Sequence, residues 1–183
     1  EVWDKFSEAT KVIHDKRMGN LKELEASYSK NYEQKVEIIA QINKEVGVPR
    51  KSHKDWQDGM KVIQTLRDVY FELGKVPRSK NKEIWNEFKD ATRNFNQEKN
   101  SFYKNQKKEQ FTNLEKKRAL IQIAEDNKES DDFEAVTSLM KKIQSEWRTI
   151  GHVPRKDSDK VWKQFKNACN HYFDRIHAQK NEA

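Results

Sequence analysis

Three Pro-Arg steps, each followed by lysines, are the residues of this sequence best placed to do chemistry: Arg50 with Lys51 and Lys54, Arg78 with Lys80 and Lys82, and Arg155 with Lys156 and Lys160. Each group falls where a helix is expected to start. Backbone N–H groups at such a start have no intrahelical partner, so added cations there favour phosphate and other anions. A second reading stays open, in which Arg78 and Arg155 pair with a carboxylate or bond the last carbonyls of the preceding helix. Cations at a helix start do not help that helix, so Lys80 and Lys82 favour an outside partner.

The charge pattern agrees with either reading. Thirty-seven Lys and Arg against thirty Asp and Glu give +7, which suits an anionic partner. The excess is uneven: residues 50–84 hold nine cations against five anions and 155–183 hold seven against four, while 1–49 and 130–154 are each net negative by one. Charge that is abundant in both signs is also what long solvated helices carry as i,i+4 pairs.

Other reactive types are poorly arranged for catalysis. His171 and His177 are six residues apart, on different faces of a helix, where metal ligands want a spacing of three or four. Cys169 has no neighbouring cysteine and follows Ala168 in an apolar stripe, so it reads as a half-buried structural thiol, and a single cysteine suits a reducing compartment. Asp131-Asp132 reads as helix-start chemistry. Five glycines leave no phosphate-binding loop of a known kind. The expectation is therefore a protein without enzymatic activity, cofactor, metal or small-molecule substrate. No apolar run approaches the roughly 18 residues that span a bilayer.

The elements that must position these residues are helices, and they repeat. Trp3-x-x-Phe6-x-x-Ala9, Trp85-x-x-Phe88-x-x-Ala91 and Trp162-x-x-Phe165-x-x-Ala168 share one pattern, with Ile13, Phe95 and Tyr172 ten residues after each Trp. Offsets of three, six and ten keep to one helical face. A second block pairs Trp56, Ile63, Leu66, Tyr70, Leu73 and Gly74 with Phe133, Met140, Ile143, Trp147, Ile150 and Gly151. Both copies end at glycine, which predicts a left-handed C-terminal cap, and run into Val76-Pro77-Arg78 and Val153-Pro154-Arg155. Proline there stops the helix from running on. Gly47-Val48-Pro49-Arg50 reads as a reuse of the same corner.

Five helices follow, over about 1–46, 53–73, 80–127, 131–150 and 157–182. The third would measure about 70 Å if straight, and its polar middle, Asn94 to Lys108, is expected to bend or fray. Ser130, Asp131 or Asp132 is expected to cap the fourth helix, and Ser79 and Asp157 to cap the third and fifth. With 34% hydrophobic and 37% charged residues the chain is poor in core material for a compact globule. The fold expected is all-α, an elongated array of alternating long and short antiparallel helices. Its parts are 1–49, the long helix of a preceding partial repeat; 50–129, one helical repeat; and 130–183, a second, truncated one. Starting at Glu1, almost on a repeat motif, the sequence reads as a piece of a longer array.

The pattern Trp147-x-x-Ile150-Gly151-x-Val153-Pro154-Arg155 followed by Trp162-x-x-Phe165 resembles the bacterial "domain of unknown function 349" family, over nearly the whole chain. The resemblance implies tandem helical repeats in a bacterial, cytoplasmic protein and carries no catalytic residues. The copy at 56–74 departs from the pattern, with Tyr70 where Trp is usual and Phe71-Glu72 after it, so its corner is expected to pack differently.

Two functions are consistent with the sequence. One is a module that docks on RNA, other nucleic acid or the ribosome through its basic corners, by phosphate contacts without base reading, the Trp and Phe stripe being core rather than a stacking platform. The other is a protein–protein scaffold or spacer.

Overall fold

The computed structural model describes all residues from Glu1 to Ala183 and contains five helices and no strand: α1 (Val2–Val46), α2 (His53–Glu72), α3 (Arg78–Asn127), α4 (Phe133–Thr149) and α5 (Arg155–Glu182). No helix is long and apolar enough to cross a membrane.

The short helices start on side-chain caps. The Ser52 hydroxyl accepts from the Asp55 N–H, and the Asp55 carboxylate accepts in return from the backbone of Lys51 and Ser52. These bonds, the one from Lys51 foremost, hold the Asp55 carboxyl below its usual pKa. Asp132 caps α4 by accepting from Ala135. α3 and α5 instead begin directly after proline, with the N–H groups of Lys80 and Asp157 bonded back to the carbonyls of Pro77 and Pro154 at 2.9 Å. Pro154 holds the cap position of α5 without a side-chain bond, so Asp157 is a first-turn residue rather than a cap, and Ser79 lies one residue inside α3.

The helix ends correct the expected left-handed caps. No glycine has a positive φ. α2 and α4 end on the extended residues Leu73 and Ile150, and Gly47 is right-handed. Gly74 and Gly151 are needed for space, because a Cβ on either would stand 2.9 or 3.0 Å from the amide nitrogen of Asn31 or Asn113.

Two packing units divide the chain, Glu1–Asn100 and Ser101–Ala183, with the boundary inside α3. The division differs from a parsing at 49/50 and 129/130, because each unit takes half of a long helix. In the second unit, Leu114, Leu120, Ile121 and Ala124 of α3 meet Val136, Met140, Ile143 and Trp147 of α4 and Val161, Phe165, Ala168 and Tyr172 of α5, with Val153 sealing the corner. The first unit buries the matching residues of α1, α2 and early α3, among them Ile38, Ile39, Ile42, Trp56, Ile63, Tyr70, Ile84, Phe88 and Phe95. α3 stays helical through Asn94–Lys108, where fraying was expected, and no residue from 96 to 112 is buried. That stretch is polar because it lies between two cores, not because a helix ends there.

Candidate nucleic-acid interface

The two Gly-x-Val-Pro-Arg corners are built alike. Asn31 of α1 donates to the carbonyl of Lys75 at 2.9 Å, and Asn113 of α3 donates to that of His152 at 2.8 Å. Each amide thus ties the chain just past a short helix to a long one, across the glycine that leaves it room. Val76 and Val153 are buried beneath. One turn along, the ammonium groups of Lys35 and Lys117 lie over the Tyr70 and Trp147 rings, 4.6 and 4.7 Å from the centroids. Partial burial lowers the pKa of both lysines.

Beneath these lysines, Tyr70 stacks on Phe88 (3.8 Å, 10° between planes) and Trp147 on Phe165 (4.2 Å, 3°). The Tyr70 copy therefore keeps the same stacked corner. What differs is Phe71, whose ring packs edge-on against Phe88 and tilted against Trp85. Trp85 and Trp162, although they open the apolar stripe, remain exposed, as does Trp3.

With Asn31 and Asn113 as clasps, Arg78 and Arg155 are left at the surface. Both are exposed, and neither side chain makes a hydrogen bond or ion pair within the chain. Lys82, Lys156 and Lys160 are exposed as well, and Lys80 is exposed with its ammonium 5.8 Å from the Tyr32 ring centre. Each corner thus brings an arginine and two lysines to the first turns of α3 or α5, beside N–H groups that no side chain of α5 caps.

The Val48-Pro49-Arg50 step is a different structure, and the expectation that it reuses the corner is corrected. Its valine is exposed where Val76 and Val153 are buried, and its arginine is buried where the other two are free. Arg50, 3% exposed in its side chain, pairs with Glu45 at 2.6 Å, donates to the Glu45 carbonyl at 2.6 Å and stacks on Trp56 and Phe95. Arg50 is thus a clasp on the end of α1, its guanidinium buried away from an outside anion. Lys51 and Lys54 are exposed beside it.

The second unit fills the same position from another helix. Arg175 of α5 donates to the carbonyls of Lys128 and Ser130, pairs with Asp131 and Glu129, and lies over Phe133, the counterpart of Trp56. Glu129 also pairs with His171. Cys169 is fully buried, and burial pushes its thiol up to about 11.

Asn31, Asn113, Lys35 and Lys117 escaped the reading of the sequence. The signal was available: the 82-residue spacing between Trp3 and Trp85 also separates Asn31 from Asn113 and Lys35 from Lys117.

The profile of the family described as Domain of Unknown Function (DUF349) matches the chain twice, over residues 1–79 and 83–156. The chain belongs to that family, in two tandem copies. No curated protein and no solved structure matches it.

Proposed function

We propose that the chain is a non-enzymatic, cytoplasmic binding module that docks on RNA, free or within the ribosome, through the paired corners at Arg78 and Arg155. The observation that carries this reading is that both arginines are unpaired and exposed at helix starts, while the clasping of each corner falls to Asn31 and Asn113. Lys80, Lys82, Lys156 and Lys160 add charge on the same turns. Contacts of this kind read phosphate rather than sequence and weaken steeply with salt.

The test is recovery of RNA with the full-length protein from its bacterial host, with and without ribonuclease. Replacing Arg78 and Arg155 by Gln is expected to lower RNA recovery at moderate salt. Undiminished recovery with a folded variant rules the corners out.

A second reading, a scaffold for protein partners, draws on the start of α1. Phe6 (63% exposed) and Ile13 repeat positions that the other two copies bury, as Phe88 and Phe95 and as Phe165 and Tyr172, so a helix pair of this same repeat type fits that face. Capture of such a partner that survives ribonuclease and is lost on Phe6→Glu favours the scaffold.

A further inference from the structure

In the second packing unit a cavity of about 300 Å³ opens between α4 and α5 beside the exposed Trp162. This lies at the lower end of the range of about 300–1,000 Å³ for small-molecule sites. Its lining combines the Trp147 and Phe165 rings with cations and amides. The Trp162 indole, 51% exposed, forms one wall. Arg148 and Lys166, both exposed, flank it, Gln144 and Asn170 bring side-chain amides, and Cys169 closes the floor. No carboxylate lines the cavity.

The first unit has an aromatic ring at the corresponding place. Counting from the repeat, Phe71 stands at the position of Arg148, and its ring lies 6.1 Å from that of Trp85, the counterpart of Trp162. Arg67 stands where Gln144 does. One unit thus sets its own phenyl ring beside its exposed tryptophan, whereas the other has an arginine at that position and a second cation, Lys166, across the cavity.

We infer that the cavity lined by Trp162, Arg148 and Lys166 is a binding site for an unpaired nucleobase of single-stranded RNA. The base takes the place that the Phe71 ring takes in the first unit and stacks on Trp162. The adjoining phosphates meet Arg148 and Lys166, with no carboxylate to repel them. Gln144 and Asn170 each offer both donors and acceptors to the base edge, which suits more than one base. Stacking on an aromatic face is itself tolerant of sequence. A partner helix would want an apolar rim; the cations here select an anionic, planar ligand instead. The inference rests on the RNA-docking reading and adds strandedness to it, since a base held in a duplex cannot enter.

The experiment measures binding of the full chain to labelled ten-nucleotide oligo(U) and oligo(A) and to a duplex of the same length, by fluorescence anisotropy at fixed salt. Arg148→Phe fills the cavity with the ring the first unit already accommodates, and Trp162→Leu removes an exposed ring; circular dichroism checks that each folds. The expected result is a loss of about tenfold in affinity for single strands in both variants, with less than about threefold for duplex. Arg148→Gln, which removes the charge and leaves the cavity open, is expected to lose no more than about threefold for either. Equal losses for single strand and duplex, an Arg148→Gln loss as large as that of Arg148→Phe, or no change in any variant overturns the base site while leaving the corners in place. If the unaltered chain binds no oligonucleotide, both the site and the RNA-docking reading fall.

Discussion

Arg50 occupies the space that a side chain at Gly59 would need. A Cβ built on Gly59 would collide with the guanidinium, whereas the matching position of the second unit, Val136, carries a full buried side chain. The difference follows from where the clasping arginine comes from. In the first unit it folds back from the loop before α2, and in the second it reaches across from α5 as Arg175, where the first unit has Glu98.

This relationship sets a double-mutant cycle. Gly59→Val in the unaltered chain is expected to destabilise by about 1–3 kcal/mol through overpacking. Arg50→Ala is expected to cost about 3 kcal/mol, because it strands Glu45 and removes the group bonding the end of α1. Combined, the valine fills the space the arginine leaves, and urea unfolding should show the double variant more stable than the sum by about 1–2 kcal/mol. Strict additivity would show that the two residues do not share that space.

The asparagine clasps allow a second comparison. Asn113 is buried and Asn31 is partly exposed, although both make the same bond. Asn113→Ala leaves the His152 carbonyl without its partner and is expected to cost about 1–3 kcal/mol, and Asn31→Ala less, since water reaches that site. Equal denaturant midpoints for the two variants would contradict the assignment.

The three copies of the Trp-Phe stripe give a built-in control. Phe88 and Phe165 are buried, and truncating either to Ala is expected to cost about 3–5 kcal/mol. Phe6→Ala is expected to fall within about 0.5 kcal/mol, since its ring is already in water. Thermal melts of the three variants decide it.

Cys169 sets an alkaline limit. Its thiol ionises near 9 when unfolded and only at about 11 when folded, so the unfolded chain gives up this proton first as pH rises. The contribution is fully present below about pH 9 and is lost on the way to about 11. Burial of Tyr70 acts in the same direction, and that of Lys35 and Lys117 in the opposite one, so the readout is the difference from a variant. Between about pH 8 and 10.5 the unaltered chain should lose more stability than Cys169→Ala. Parallel pH profiles would show that the thiol is not shielded.

Helix number, order and ends were legible in the sequence to within about two residues, because the apolar period and the prolines carry that information locally. The role of the glycines was not. Gly74 and Gly151 look like caps when only their own helix is considered, and the reason for them lies 43 and 38 residues away, in Asn31 and Asn113. Arg50 misled for the same reason: Val-Pro-Arg is one string in three places, and only packing tells a buried arginine from an exposed one. The cations at Arg78 and Arg155 were visible from charge and position, but their exposure was not, because only the structure gives the clasp to Asn31 and Asn113. The cavity beside Trp162 depends on which residue stands at 71 and at 148, and its significance emerges only when the two units are compared.

The gap in burial between Phe95 and Asn113 bears on how such a chain can be shortened or extended. The family match ends at residue 156, two residues into α5, so a piece cut there loses Phe165, Ala168 and Tyr172 and with them one side of a core. A cut or a splice within residues 96–112 severs one exposed helix and no core. Genetic exchange that joins two such sequences in that stretch, in helical phase, hands on each core whole; the segment that the family profile matches and the segment that can be spliced without dividing a core are out of step by about one helix.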